Sequence, residues 1–236
     1  FIDGVQAADI TTSATDQVQT RTDDIASRLA AAVNGQAGLN ARADGSTVVI
    51  YKDGNAQFDL ATYDSLGDEG LSPTVGTVQR FDELPAKAPH GYVAHVQGDQ
   101  TNDFDDYYVK FDNGVWKETV EPNIVIDLDA TTMPHKLVKD VSANFTFDVQ
   151  SYEDRRVGSD TTNPFPSFVG FKLADIFFHR NRLGLLADEN VIFSRAGEFV
   201  DFDFFRKSAL TIVDSDPIDV AVSSNKVSIL KHAVPF

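Results

Sequence analysis

The 236-residue sequence contains no cysteine, one methionine and one tryptophan. Without cysteine, disulfides, thiolate zinc sites and cysteine nucleophiles are excluded from this chain. Basic residues are also scarce. Twenty Lys+Arg stand against 36 Asp+Glu, a formal charge of −16. A protein that grips a duplex must replace condensed counterions with a basic patch, so the composition argues against tight nucleic-acid binding. The adjacent basic pairs, Arg155-Arg156 and Arg206-Lys207, both read as solvated surface. No apolar run approaches the roughly 18–20 residues of a membrane-spanning helix. The opening Phe1-Ile2-Asp3-Gly4 has neither the basic start nor the apolar stretch of a signal peptide. It lacks an initiator methionine, and the chain stops at Val234-Pro235-Phe236 after an apolar run. A piece of a longer polypeptide is expected.

What is present suits a folded, mainly β chain. Hydrophobic residues make up 42%, and 18 of the residues are phenylalanine. That is enough apolar surface to offset ordering entropy. Three stretches are expected. Residues 1–72 read as a small α+β unit: a helix after Thr20, then hairpins. Thr20 and Asp23 have capping-box spacing. Ile25, Leu29, Ala32 and Val33 recur on one helical face. Asn34-Gly35 ends the helix, with Gly in the left-handed region. Asp44-Gly45 and Asp53-Gly54 then join strands over 39–43, 47–52 and 57–63. Gly67–Pro73 reads as a linker.

Residues 75–130 form a β subdomain, with strands over 75–81, 92–96, 107–111 and 115–120 and a turn at Asn113-Gly114. Residues 131–236 form an aromatic-rich β region. Strand runs are expected over 176–186, 191–195, 199–204, 220–222 and 227–234. The last pair turns around Ser223-Ser224-Asn225. Antiparallel hairpins and meanders are expected throughout. The final stretch has the rhythm of one or two propeller blades, or of a sandwich.

Catalytic signatures are missing: there is no GxGxxG, Walker loop, GxSxG or HExxH. His90 and His95 are the closest histidine pair, but strand alternation puts them on opposite faces, wrong for a shared metal. Asp99, Thr101 and Asp103 alternate like calcium ligands, without the glycine and distal glutamate of an EF-hand. Asp214, Asp216 and Asp219 read as turn-capping or solvated. Neither a metal nor a cofactor is implied. Paired carboxylates for glycoside hydrolysis, Asp201 with Asp203 or Asp127 with Asp129, read as exposed strand faces. Phe177, Phe178, Phe193, Phe199, Phe202, Phe204 and Phe205 read as core packing or subunit contact rather than stacking platforms.

The segment Asp175–Phe202, containing His179-Arg180-Asn181-Arg182-Leu183-Gly184-Leu185-Leu186-Ala187-Asp188-Glu189-Asn190, resembles a signature of the tail nozzle proteins of short-tailed phages. That family is also called tail tubular protein B. Asp105–Thr119, Ala130–Val138, Val157–Gly170 and Asp214–Val222 resemble the same family in the same order. The resemblance covers roughly residues 75–236.

It implies a virion structural subunit, not an enzyme. Members form a homohexameric ring below a tail adaptor protein, with tail fibres near the adaptor junction. DNA would be transient cargo in the conduit rather than a tight ligand. The distal segments of the family pattern are absent here, so tip functions do not carry over. The alternatives are a tail-associated polysaccharide or peptidoglycan hydrolase and a host-surface glycan-binding module.

Within the signature, Gly184 suggests close backbone approach or a bulge. Asp188 and Asn190 suit a tight turn. Arg182 and Arg195 are placed to pair with carboxylates such as Asp188 or Asp201. Gly197 punctuates the following strand, and Pro164, Phe165 and Pro166 form a rigid extended loop. These residues are expected to hold the fold or an intersubunit seam.

Overall fold

A computed structural model describes residues 1–13, 15–65, 67, 70–98, 106–223 and 229–234. The described residues are mainly β, in antiparallel hairpins and meanders apart from one short parallel pairing, of Thr77–Val78 with His95–Val96, and with one α-helix. Two compact units divide the chain, Phe1–Lys117 and Glu118–Phe236.

The first unit opens with helix α1, Thr22–Asn34. Its buried face is Ala26, Ala30 and Val33; of the expected stripe Val33 is buried, and Ile25, Leu29 and Ala32 are half-buried beside it. Small alanines let the helix sit close to the hairpin of β1 (Leu39–Asp44) and β2 (Thr47–Lys52). The expected capping box does not form: Arg21 is the N-cap, and Thr20 Oγ1 donates back to the Gln17 carbonyl. Asp23 and Asp24 still place negative charge in the first turn.

Gly35 is right-handed, with φ −73°, and the left-handed residue is Gly38, φ +79°. What ends the helix is Asn34. Its side-chain amide donates to the Ala41 carbonyl and accepts from the Ala41 N–H, at 2.7 and 2.6 Å, tying the helix end to β1.

The first hairpin forms, but one residue on from Asp44-Gly45: Asp44 pairs with Thr47 across Gly45-Ser46, and of these only Gly45 has positive φ. Asp53-Gly54 does not make a second hairpin: Asp53–Asn55 form a single 3-10 turn. Residues 57–63 contribute only an isolated bridge from Leu60 to Ile2.

A four-stranded sheet follows, ordered β3 (Thr77–Val78), β4 (Val93–Val96), β5 (Tyr107–Asp112), β6 (Val115–Thr119). The expected strand over 75–81 shrinks to β3, because Phe81–Glu83 turn into a 3-10 segment. In β5, Tyr107, Val109 and Phe111 are buried while their neighbours face out, the expected alternation. Asn113 and Gly114 both have positive φ, as a type I′ turn needs. Trp116 packs edge-on to Phe111 and Tyr92 and donates Nε1–H to the Pro85 carbonyl. The division between the units falls inside β6.

The second unit begins with an isolated hairpin, β7 (Lys136–Lys139) and β8 (Phe145–Asp148). A four-stranded antiparallel meander follows, in the order β9 (Leu173–His179), β10 (Arg182–Ala187), β11 (Asn190–Phe193), β12 (Ile218–Ala221). The run read as one strand over 176–186 is split by Arg180 and Asn181, both at positive φ, so it folds back as β9 and β10. The expected strand over 199–204 is irregular, with one bridge from Phe202 to Tyr152. The run over 227–234 shows no strand in its described residues, and Ser224 and Asn225 lie outside them.

The core gathers Leu183, Leu185, Ala187 and Ile192 from the meander with Met133, Phe168, Phe202 and Phe204 from the loops. The meander has the up-and-down order of a propeller blade, but the described residues form no closed barrel or propeller.

Candidate functional site

The signature segment sits at the centre of the second unit. Arg182 opens β10 and is buried. Its guanidinium donates to three carbonyls, of Ser194, Asp214 and Asp216. A backbone that leaves a strand ladder exposes carbonyls that must find donors elsewhere. Arg182 supplies them for the loop between β11 and β12. Arg195 extends the same knot through Asp216, at 3.1 Å, and Ser215. The partners are therefore loop carbonyls, Ser215, Asp216 and Glu198, not Asp188 or Asp201. Asp216 is buried and caps its own turn by accepting from the Val213 N–H.

Gly184 lies opposite Phe177 and Phe193. A Cβ there would meet the Phe177 ring at 2.5 Å. The close approach is thus an aromatic ring over a glycine, sealed by the edge-on Phe177–Phe193 pair. The bulge falls two residues later, between Leu186 and Ala187. Asp188, at φ +53°, and Glu189 make the β10–β11 turn, closed by the Ala187–Asn190 pair. The turn carbonyls accept from Leu230 and Val222. Gly197, at φ +83°, donates to the Asn181 carbonyl and so joins the β9–β10 turn.

A second arginine knot was not expected. Arg155, read as surface, has a fully buried side chain, while Arg156 is exposed. Arg155 donates to the carbonyls of Val125, Ser159 and Asn163 and pairs with Asp160 at 2.8 Å. Its guanidinium lies over Phe165, 4.8 Å from the ring centre, and near Phe205. Phe165 and Phe205 meet edge-on. Asn163 fixes the Pro164-Phe165-Pro166 loop by bonding Val157 and both backbone groups of Arg206. Pro166 is buried and Pro164 exposed. The legible clue was the Pro-rich loop, whose extended backbone leaves carbonyls in need of a donor. Which arginine answers is not visible locally, because Val125 lies 30 residues from Arg155.

Asp201 and Asp203 do not form an exposed acidic strand face. Asp203 is buried, not on an exposed face: it accepts from the Phe205 N–H and pairs with Lys207 at 2.6 Å. Asp201 lies on the same irregular segment, half-buried. Asp129 caps its own turn, and hydrogen bonds from the Thr131 side chain and backbone hold its carboxyl below the usual range. Asp99, Thr101 and Asp103 lie outside the described residues. His95 pairs with Asp106 and stacks on Tyr108, while His90 faces Asp112. Among the described residues no cluster of His, Asp and Glu has the arrangement to hold a metal ion.

Among the open apolar surfaces of the described residues of this unit are two of different form. One is a groove of about 560 Å³ floored by Val125, Met133, Val169 and Phe171, with Asp127 and Asp129 beside them. The other is the β7–β8 hairpin, exposed along nearly its whole length.

The whole chain, residues 1–236, matches the family described as bacteriophage nozzle protein. The chain belongs to the bacteriophage nozzle protein family. It is also 43% identical over 179 residues to the tail tubular protein gp12 of Escherichia phage T7. That match covers 75% of this chain and 22% of the relative, so the chain spans about a fifth of that protein's length. The expected kinship is thus borne out. The nozzle chain is a phage tail structural protein, and its place is the virion tail. Among the described residues no helix is long and apolar enough to cross a membrane.

Proposed function

We infer that this chain is part of a ring-forming nozzle subunit that builds a section of the genome-ejection conduit and acts by shape rather than by catalysis. The observation that carries this reading is the family match over the full 236 residues. The two arginine knots support it physically. They spend charged side chains on locking irregular backbone, which suits a wall that must keep its form. In this reading Arg182, Gly184, Asp188, Asn190, Arg195 and Gly197 serve the fold of the meander. Pro164, Phe165 and Pro166 serve the loop packed on Arg155. The subunit forms a homohexamer, meets the tail adaptor at one end and lies near the fibre attachment. DNA passes as transient cargo.

The charge of −16 fits a conduit that releases DNA rather than grips it. Only charges within about 8–10 Å of the DNA act at physiological salt, so the acids must line the channel to matter. Imaging of the full-length subunit by negative stain tests the class: a closed ring with a central channel is expected. A stable monomer that releases reducing sugars from capsule polysaccharide overturns the reading.

A further inference from the structure

The β7–β8 hairpin is a two-faced ribbon. Leu137 pairs with Phe147 and Lys139 with Phe145, so these four share one face. Lys136 with Asp148 and Val138 with Thr146 occupy the other. The first face is apolar yet open: Leu137, Phe145 and Phe147 are 63%, 63% and 70% exposed. His135 stacks on Phe147, and the Lys139 ammonium lies over Phe145. A lone two-stranded ribbon is marginal in water, and an apolar face on one needs a cover.

The groove of the same unit is the mirror image in chemistry. Its floor is apolar, and Val125, Val169 and Phe171 are 66%, 47% and 57% exposed. Asp127 and Asp129 bring negative charge to it. Among the described residues Lys139 and Asp127 form no salt bridge within the chain. An apolar ribbon carrying a lysine thus answers an apolar groove carrying aspartates.

We propose that the apolar face of the β7–β8 hairpin docks into the Asp127–Asp129 groove of a second copy of this chain. Such a contact is heterologous, joining two different patches head to tail. Repeated with a closing rotation, it generates a ring. The proposal rests on the ring reading above and names the seam within it. Each four-residue strand reaches about 13 Å, enough to cross from one subunit into its neighbour.

The 236 residues contain no cysteine. Phe145→Cys and Val169→Cys can therefore be placed in separate preparations of the full-length subunit, with any cysteines outside this region replaced by serine. After mixing and mild oxidation, a disulfide dimer is expected in the ring fraction of the mixture and not with either variant alone. Lys139→Glu should lower its yield about two- to fivefold, as for a surface ion pair, and Asp127→Lys on the partner should restore it.

A dimer from Phe145→Cys alone, meaning hairpin on hairpin, overturns the proposal. So does an intramolecular link in the double variant, meaning the hairpin closes on its own groove. Cross-linking only to a different tail protein overturns it as well. Rings that never cross-link sink this seam while leaving the ring reading standing. A subunit that forms neither rings nor cross-links fails both.

Discussion

The loop around Arg155 has little regular hydrogen-bond ladder and buries its charged centre, whereas the β7–β8 hairpin has a full ladder and buries almost nothing. Only a short stretch of chain separates them. The loop is held by side chains reaching backbone carbonyls from several directions. The hairpin is held mainly by its backbone pairs, with Asp140 bonding its tip, and its apolar residues are left in water. Regularity and stability are therefore separate properties here. Buried irregular backbone survives where each polar group is answered. A regular ribbon with an open apolar face is finished only by what docks on it.

The strongest way to break this contrast is to remove Arg155. Arg155→Ala leaves the carbonyls of Val125, Ser159 and Asn163 without their donor and opens a void beneath Phe165 and Phe205. A loss of about 3–5 kcal/mol is expected, as when a buried charge network loses one member. Arg155→Lys should recover only part, because an ammonium cannot serve several carbonyls and lie flat on a ring. Urea unfolding midpoints measure both. A loss below about 1 kcal/mol would place Arg155 among ordinary surface residues.

Next in size is Gly184→Ala. The new methyl meets the Phe177 ring at 2.5 Å, so the ring must swing off Phe193. Overpacking of this kind costs about 1–3 kcal/mol. Phe177→Leu in the same background should recover part of that loss, which a backbone cause would not allow. A full loss in both variants would show that the glycine is needed for its backbone.

Much of this was legible beforehand, and the failures share a cause. Local chemistry named the hairpins at Asp44-Gly45 and Asn113-Gly114, though the first turns one residue on, at Gly45-Ser46. The alternation of Tyr107, Val109 and Phe111 named a half-buried strand. The resemblance around Arg182 named the family. The misses are residues whose state depends on partners far along the chain. Arg155 looked like half of a surface pair, and Asp203 like half of an exposed one, yet both are buried by distant segments. Phe199–Phe204 has strand composition but packs as irregular chain, since Phe202 and Phe204 enter the core while Phe199 stays exposed. The β7–β8 hairpin was readable, with Lys136–Lys139 and Phe145–Asp148 flanking a polar turn, but its apolar positions are few and were read as part of a larger region.

A smaller test concerns Tyr152, which lies between the two regions and donates to the Pro134 carbonyl just before β7. Burial pushes its phenol up to about 12. The unfolded phenol ionises near 10, so the stability Tyr152 contributes is present below pH 10. It is lost as pH rises toward 12. Ultraviolet titration should show a phenol step near pH 12 that Tyr152→Phe removes. If all six tyrosines ionise together near pH 10, Tyr152 is not shielded.

The smallest effect lies at the hairpin tip, where the Asp140 carboxylate organises the turn. Its carboxylate accepts from the backbone N–H of Asn144 and Ser142, each at 2.8 Å, and from the Asn144 side chain. Hydrogen bonds from the Asn144 backbone and side chain hold the carboxyl below the usual range. A depressed carboxylate stabilises the fold above its unfolded value and stops doing so as pH falls through the folded one. The turn should therefore stay ordered down to about pH 4 and loosen below it. Measured against the intrinsic rate at each pH, protection of the Ser142 and Asn144 amides should fall in that window, while that of Asn163 and Arg206, beside Arg155, holds. Equal loss of protection at both places would mean that the hairpin and the buried loop open together, and the contrast between them would dissolve.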